Sequence, residues 1–138
     1  MQGMDRLKEG DYLYSQGRYA EAVQAYDEAL QLDPEDAGAW NKKGAALAGL
    51  GEHREAIRAC DEAIRLDPEF ALAWNNRGFA LRNLGKIKEA VQAYDEALRL
   101  DPEYVRAWYN KGDALEALGK RSEASAAYAR AKELELRR

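Results

Sequence analysis

Threonine is absent from these 138 residues, and histidine and cysteine occur once each, as His53 and Cys60. Serine is limited to Ser15, Ser122 and Ser125. A Ser-His-Asp arrangement has little to draw on. A metal site usually needs three or four ligands, and one His with one Cys does not supply them. The lone cysteine excludes an internal disulfide and fits a reducing compartment. No apolar run approaches the roughly 18 residues of a membrane span, and the polar stretch Met1 to Gly10 is no signal peptide. No Gly-rich loop of the phosphate-binding Lys-Ser/Thr type occurs. A net charge of −4 argues against nonspecific nucleic-acid binding. These absences lead us to expect a cytoplasmic, non-enzymatic protein with no cofactor, no metal, no nucleic acid and no membrane contact.

What is present is a period of 34 residues. Trp40, Trp74 and Trp108 follow it, as do Pro34, Pro68 and Pro102. Two glycine series share the step: Gly10, Gly44, Gly78 and Gly112, then Gly17, Gly51, Gly85 and Gly119. Several residue types in one period mark stacked supersecondary units. We read one domain over 1–138 with repeats at 3–36, 37–70, 71–104 and 105–138. Their formal charges run −6, −1, 0 and +3, an acidic first repeat and a basic last one. Such a dipole could steer a partner or favour head-to-tail contacts.

Each repeat reads as two antiparallel helices, A and B, joined by short connections. In the third repeat the pattern predicts helix A over about 69–84 and helix B over about 87–100, with Gly85 ending the first. Asp101-Pro102 ends the second, because the residue before proline disfavours the helical region. Asp33, Asp67 and Asp101 are expected as N-caps, with the prolines in the first turn of the next helix. Trp74, Leu81 and Tyr94 are predicted to fill the interhelical space, while Gly78 and Ala90 permit close approach. Cys60 stands where Tyr26, Tyr94 and Tyr128 stand, so a buried small hydrophobe is expected. His53 aligns with Tyr19, Ile87 and Arg121, and a structural or surface role is expected. The pairs Asp27-Glu28, Asp61-Glu62 and Asp95-Glu96 recur at one helical position. That repetition points to a solvated face rather than a unique acid–base site.

The ordered set Trp40, Gly44, Leu47, Gly51, Ala56, Cys60, Ala63, Pro68 recurs as Trp74, Gly78, Leu81, Gly85, Ala90, Tyr94, Ala97, Pro102. This resembles the tetratricopeptide repeat over essentially the whole chain. The resemblance implies an all-α fold, a right-handed superhelical solenoid of eight helices with helices A lining a concave groove. The chain departs from the family pattern before the first glycine of each repeat. Glu9, Lys43, Arg77 and Lys111 stand where Leu is frequent, so that position is expected to be partly exposed. At the end, Lys132 and Leu136 replace the usual apolar residue and proline, and Leu134 and Leu136 are expected to leave an apolar edge.

The resemblance implies a function: recognition of a protein or peptide in the groove. The predicted groove residues are Tyr14, Asn41, Lys42, Asn75, Asn76, Phe79, Arg82, Arg106, Tyr109 and Asn110. Asn41, Asn75, Asn76 and Asn110 resemble part of the asparagine ladder of some family members, and each offers a donor and an acceptor to a peptide backbone. Phe79, Tyr109 and Tyr14 would serve as aromatic anchors, with Arg82 and Arg106 for acidic residues. The family's carboxylate clamp for chaperone tails is poorly matched: of its positions only Asn76 fits, and Arg106 stands in for a Lys. Self-association through the terminal repeats is the alternative. The ten residues from Glu21 to Leu30 recur unchanged from Glu89 to Leu98, which suggests recent duplication or a consensus design.

Overall fold

In a computed structural model of the chain, which describes residues 2–137, eight helices hold most of the described residues. They are α1 Gln2–Ser15, α2 Tyr19–Leu32, α3 Ala37–Gly49, α4 His53–Leu66, α5 Ala71–Asn83, α6 Ile87–Leu100, α7 Val105–Ala117 and α8 Arg121–Leu136. Odd-numbered helices are the predicted A helices and even-numbered ones the B helices. The chain divides into two compact units, Met1–Pro68 and Glu69–Arg138, each with two helix pairs. Within each unit consecutive helices pack together, and the two A helices also touch, α1 with α3 and α5 with α7. This is the all-α helical-repeat class that the period implies.

The turn between A and B is set by backbone chemistry. Gly85 has φ +84°, a conformation costly for any residue bearing a Cβ. Its N–H donates to the Arg82 carbonyl and that of Lys86 to the Leu81 carbonyl, both at 2.9 Å, satisfying the last carbonyls of α5.

The connection from B to A differs from expectation. Asp33 and Asp101 are not N-caps; they close α2 and α6. Each carboxylate accepts from the N–H two residues on, Asp33 from Glu35 at 3.2 Å and Asp101 from Glu103 at 3.1 Å. These are local Asx turns, which compete with helix capping for the same carboxylate. Pro34 and Pro102 therefore lie in the turn, ahead of the helix. The residues that do occupy the N-cap are Asp36, Phe70 and Tyr104. Only Asp36 among these three accepts a capping bond, from Ala39 N–H at 3.1 Å. Helix A of the third repeat accordingly starts at Ala71 rather than 69.

Tryptophan and proline recur together for a reason visible here. The indole N–H of Trp40 donates to the Pro34 carbonyl at 2.9 Å, and that of Trp108 to Pro102 at 2.8 Å. The ring thus pins the preceding turn. The same rings explain the basic residues before the glycines. Lys43 and Lys111 lay their ammonium groups 5.3 and 5.5 Å from the Trp40 and Trp108 ring centres. Each also pairs with an aspartate of the previous B helix, Asp27 at 2.6 Å and Asp95 at 2.7 Å. The stems of Lys43 and Lys111 are covered and their heads ion-paired, so the position is half-buried.

The core is made of alanines with a few larger side chains. Tyr26, Leu13, Ala22, Ala25 and Ala46 form one cluster in the first unit. Ala97, Leu98 and Ala107 form another in the second, flanked by Trp74, Tyr104 and Trp108. Close approach of A to B requires glycine: a Cβ on Gly78 would lie 2.6 Å from Tyr94 Cε1. In the second repeat the smaller Cys60 takes the tyrosine's place, fully buried as expected. Leu134 is buried as well, so only Leu136 of the expected apolar edge is exposed.

Candidate functional site

The predicted groove residues fall on the A helices, and the two units present them separately. In the first unit Asp11 on α1 is the organising charge. It accepts from the Tyr26 hydroxyl at 2.7 Å and pairs with Lys42 of α3 at 2.9 Å. Lys42 is thereby committed to its own unit. Tyr14 is exposed at the end of α1, its ring edge-on to Tyr19 with centroids 5.2 Å apart. Asn41, expected to face a ligand, is buried at 6% exposure.

The second unit carries the larger set. Asn75, also expected to face a ligand, is 2% exposed. Its carbonyl oxygen accepts from the Asn110 amide at 3.0 Å, a bond that ties α5 to α7. One residue along a helix turns a side chain by about 100°, so Asn75 enters the α5–α7 seam while Asn76 stays half-exposed. The asparagines at 75 and 110 therefore bond to each other inside the protein. Asn41 and Asn75 are internal, and this corrects the expectation that both would offer free amides.

Around that seam the α5–α7 face is open. Leu72 is 52% and Phe79 40% exposed, large apolar side chains left toward solvent in an otherwise well-covered helix. Arg82 and Arg106 stand on the same two helices, half-buried and exposed respectively, and neither has an ion-pair partner among the described residues. Leu72, Tyr104, Val105, Arg106, Tyr109 and Glu135 line a depression of about 540 Å³. The Tyr109 hydroxyl donates to Glu135, and that bond, with some burial, raises its pKa.

Glu135 escaped the sequence reading. It occupies the place of Asp33, Asp67 and Asp101, but Leu136 follows it where the others have proline. Without that proline α8 runs 16 residues where the other B helices run 14, and carries Glu135 to Tyr109. The missing proline was the available signal. Tyr104 was missed because its position precedes helix A, outside the periodic face.

Elsewhere, several charges on the B helices are paired. Arg65 pairs with Glu62 and Arg99 with Glu96, each at 2.5 Å. The recurring carboxylate pairs thus sit on a solvated, ion-paired face. Among the described residues no three His, Cys, Asp or Glu side chains gather as metal ligands would, and no helix is long and apolar enough to cross a membrane.

Comparison with known proteins agrees with this architecture. Tetratricopeptide-repeat models match residues 7–71, 59–92 and 105–137, and a TPR-repeat model matches 80–119. No curated protein matches the chain. Among solved structures, MamA is 28% identical, over 98% of this chain and 79% of that one, with a TM-score of 0.88. The first TPR of Spaghetti (RPAP3), bound to the HSP90 peptide SRMEEVD, is 25% identical over 86% of this chain and 94% of that one, TM-score 0.82. The second TPR domain of human RPAP3, in complex with the HSP70 peptide SGPTIEEVD, is 27% identical over 83% and 95%, TM-score 0.79. With matching models spanning residues 7–137, the chain belongs to the tetratricopeptide repeat family.

Proposed function

We propose that this protein is a non-catalytic interaction module that holds an extended segment of a partner protein on its A-helix faces. The principal contacts come from the second unit. Phe79, Leu72 and Tyr109 supply apolar area, Asn76 a hydrogen-bonding amide, and Arg82 and Arg106 attraction for acidic residues. Asn75 and Asn110 act as struts that fix the spacing of α5 and α7. Tyr14 and Lys42 belong to the corresponding face of the first unit. The observation that carries this reading is the pairing of exposed apolar side chains with two arginines lacking ion-pair partners among the described residues. Aromatic and arginine side chains are the usual anchors of interfaces. Two similar domains were solved with peptides bound, which supports a peptide as ligand. The poor match to the chaperone clamp argues for a different peptide here.

The test is selection of a displayed random peptide library on the protein, followed by Asn76→Ala combined with Tyr109→Ala. Binding of selected peptides should weaken at least about tenfold, or 1.4 kcal/mol, with the helical spectrum unchanged. Unaltered affinity would move the site off this face. The alternative, end-to-end stacking of copies, draws on Leu136, 88% exposed on α8, and on the charge asymmetry of the repeats. Sedimentation that depends on concentration and weakens with salt would favour it.

A further inference from the structure

The first and last repeats place the same two side chains against each other, and the two middle repeats depart from that pairing. In the first and last repeats the tyrosine of helix B donates to an aspartate of helix A: Tyr26 to Asp11 at 2.7 Å, Tyr128 to Asp113 at 2.5 Å. In the second repeat both members are replaced together, by Cys60 and Ala45. In the third only the acceptor is lost. Phe79 stands where the aspartate would, and Tyr94 is kept.

The ring of Tyr94 sits as its equivalents do. A Cβ built on Gly78 would lie 2.6 Å from Tyr94 Cε1, and the same measure is 2.5 Å for Gly10 with Tyr26 and for Gly112 with Tyr128. The hydroxyl is therefore aimed at the place that a carboxylate fills in the first and last repeats. Tyr94 is fully buried, and among the described residues its hydroxyl has no hydrogen-bond partner. Burying an unpaired hydroxyl is costly. Arg82 lies one turn beyond Phe79, and its charge reaches both Tyr94 and Tyr128. Asp113 also acts on Tyr94, but it already accepts from Tyr128.

We propose that an acidic side chain of the bound peptide supplies the missing carboxylate, accepting from the Tyr94 hydroxyl and pairing with Arg82 as the Phe79 ring turns toward solvent. This rests on the peptide-binding reading above and names the residue class it selects. The ring of Phe79 is exposed enough to change rotamer rapidly. A charged acceptor makes the stronger hydrogen bond, so aspartate or glutamate is favoured over an amide. The last repeat is basic, so Tyr94→Phe, which leaves every charge in place, separates a local hydrogen bond from long-range attraction.

The experiment uses two fluorescein-labelled random heptapeptide pools, one with Asp and one with Asn fixed at the centre. Anisotropy should show the Asp pool binding about tenfold tighter to the unmodified protein. Tyr94→Phe and Phe79→Asp should each reduce that ratio to about one. Phe79→Asp provides the carboxylate from within, so it should also raise Tm, which shows that the variant is folded. A ratio near one on the unmodified protein, or a ratio untouched by both variants, overturns the proposal. If both pools bind equally and Asn76→Ala with Tyr109→Ala abolishes binding, the peptide-binding face stands and the carboxylate site falls. If neither pool binds, both fall.

Discussion

Replacing tyrosine by phenylalanine at three equivalent positions should change stability in opposite directions. The Tyr26 hydroxyl donates at 2.7 Å to Asp11, whose side chain is 46% exposed. A hydrogen bond to a charged group contributes about 1.5–3 kcal/mol. Water can replace it at so exposed a carboxylate, so Tyr26→Phe should cost about 1.5 kcal/mol, the low end. Tyr128→Phe should lose stability for the same reason, through Asp113. Tyr94 is the reverse case. Its hydroxyl is desolvated without a partner among the described residues, a state that costs about 1–3 kcal/mol. Its removal leaves a small void, so Tyr94→Phe should gain about 1 kcal/mol. The separation between Tyr26→Phe and Tyr94→Phe is then about 2.5 kcal/mol. Urea titrations followed by circular dichroism, with m unchanged, resolve such a difference. If Tyr94→Phe destabilises as much as Tyr26→Phe, the hydroxyl has an acceptor and the reasoning about the third repeat fails.

Gly78→Ala should destabilise the second unit by about 1–3 kcal/mol through overpacking, because the added Cβ meets the Tyr94 ring at 2.6 Å; thermal unfolding would show it, and an unchanged Tm would contradict the close contact. Stability should also fall as pH rises from about 10 to about 12. The bond to Asp113, then burial, holds the Tyr128 phenol protonated until its pKa is pushed up to about 12, whereas the unfolded chain loses that proton near 10.0. The contribution is thus complete below pH 10 and disappears across that window, and Tyr128→Phe should flatten the decline. Cys60, fully buried, should react with a thiol reagent only as fast as the protein opens; labelling at the rate of a free thiol would place it at the surface.

The fold was legible because each periodic residue has a physical task that recurs. Gly85 must take positive φ, Gly78 must admit the Tyr94 ring, and Trp108 must reach the Pro102 carbonyl. Helix B of the third repeat was read to the residue, since Asp101 and Pro102 leave no freedom at its end. The caps were misread because an aspartate before proline can serve the turn or the helix, and only geometry decides which. The site was less legible. Asn75 and Asn76 look equivalent as letters, yet a turn of about 100° separates a buried strut from a half-exposed side chain. The Tyr109–Glu135 bond forms only where the closing proline is missing and α8 runs on, so the shared pattern of the repeats does not contain it. The exception at Phe79 was visible in the sequence, but its consequence for Tyr94 emerged only when the rings of three repeats were found in one place.

The central claim is that the α5–α7 face receives the partner. Its most direct test is a backbone amide NMR titration of the isotope-labelled protein with a peptide selected from the displayed library. The account predicts that the largest shifts fall on Asn76, Phe79, Arg82, Arg106 and Tyr109. Shifts confined to the ion-paired surfaces of α6 and α8, with those five unmoved, would contradict it.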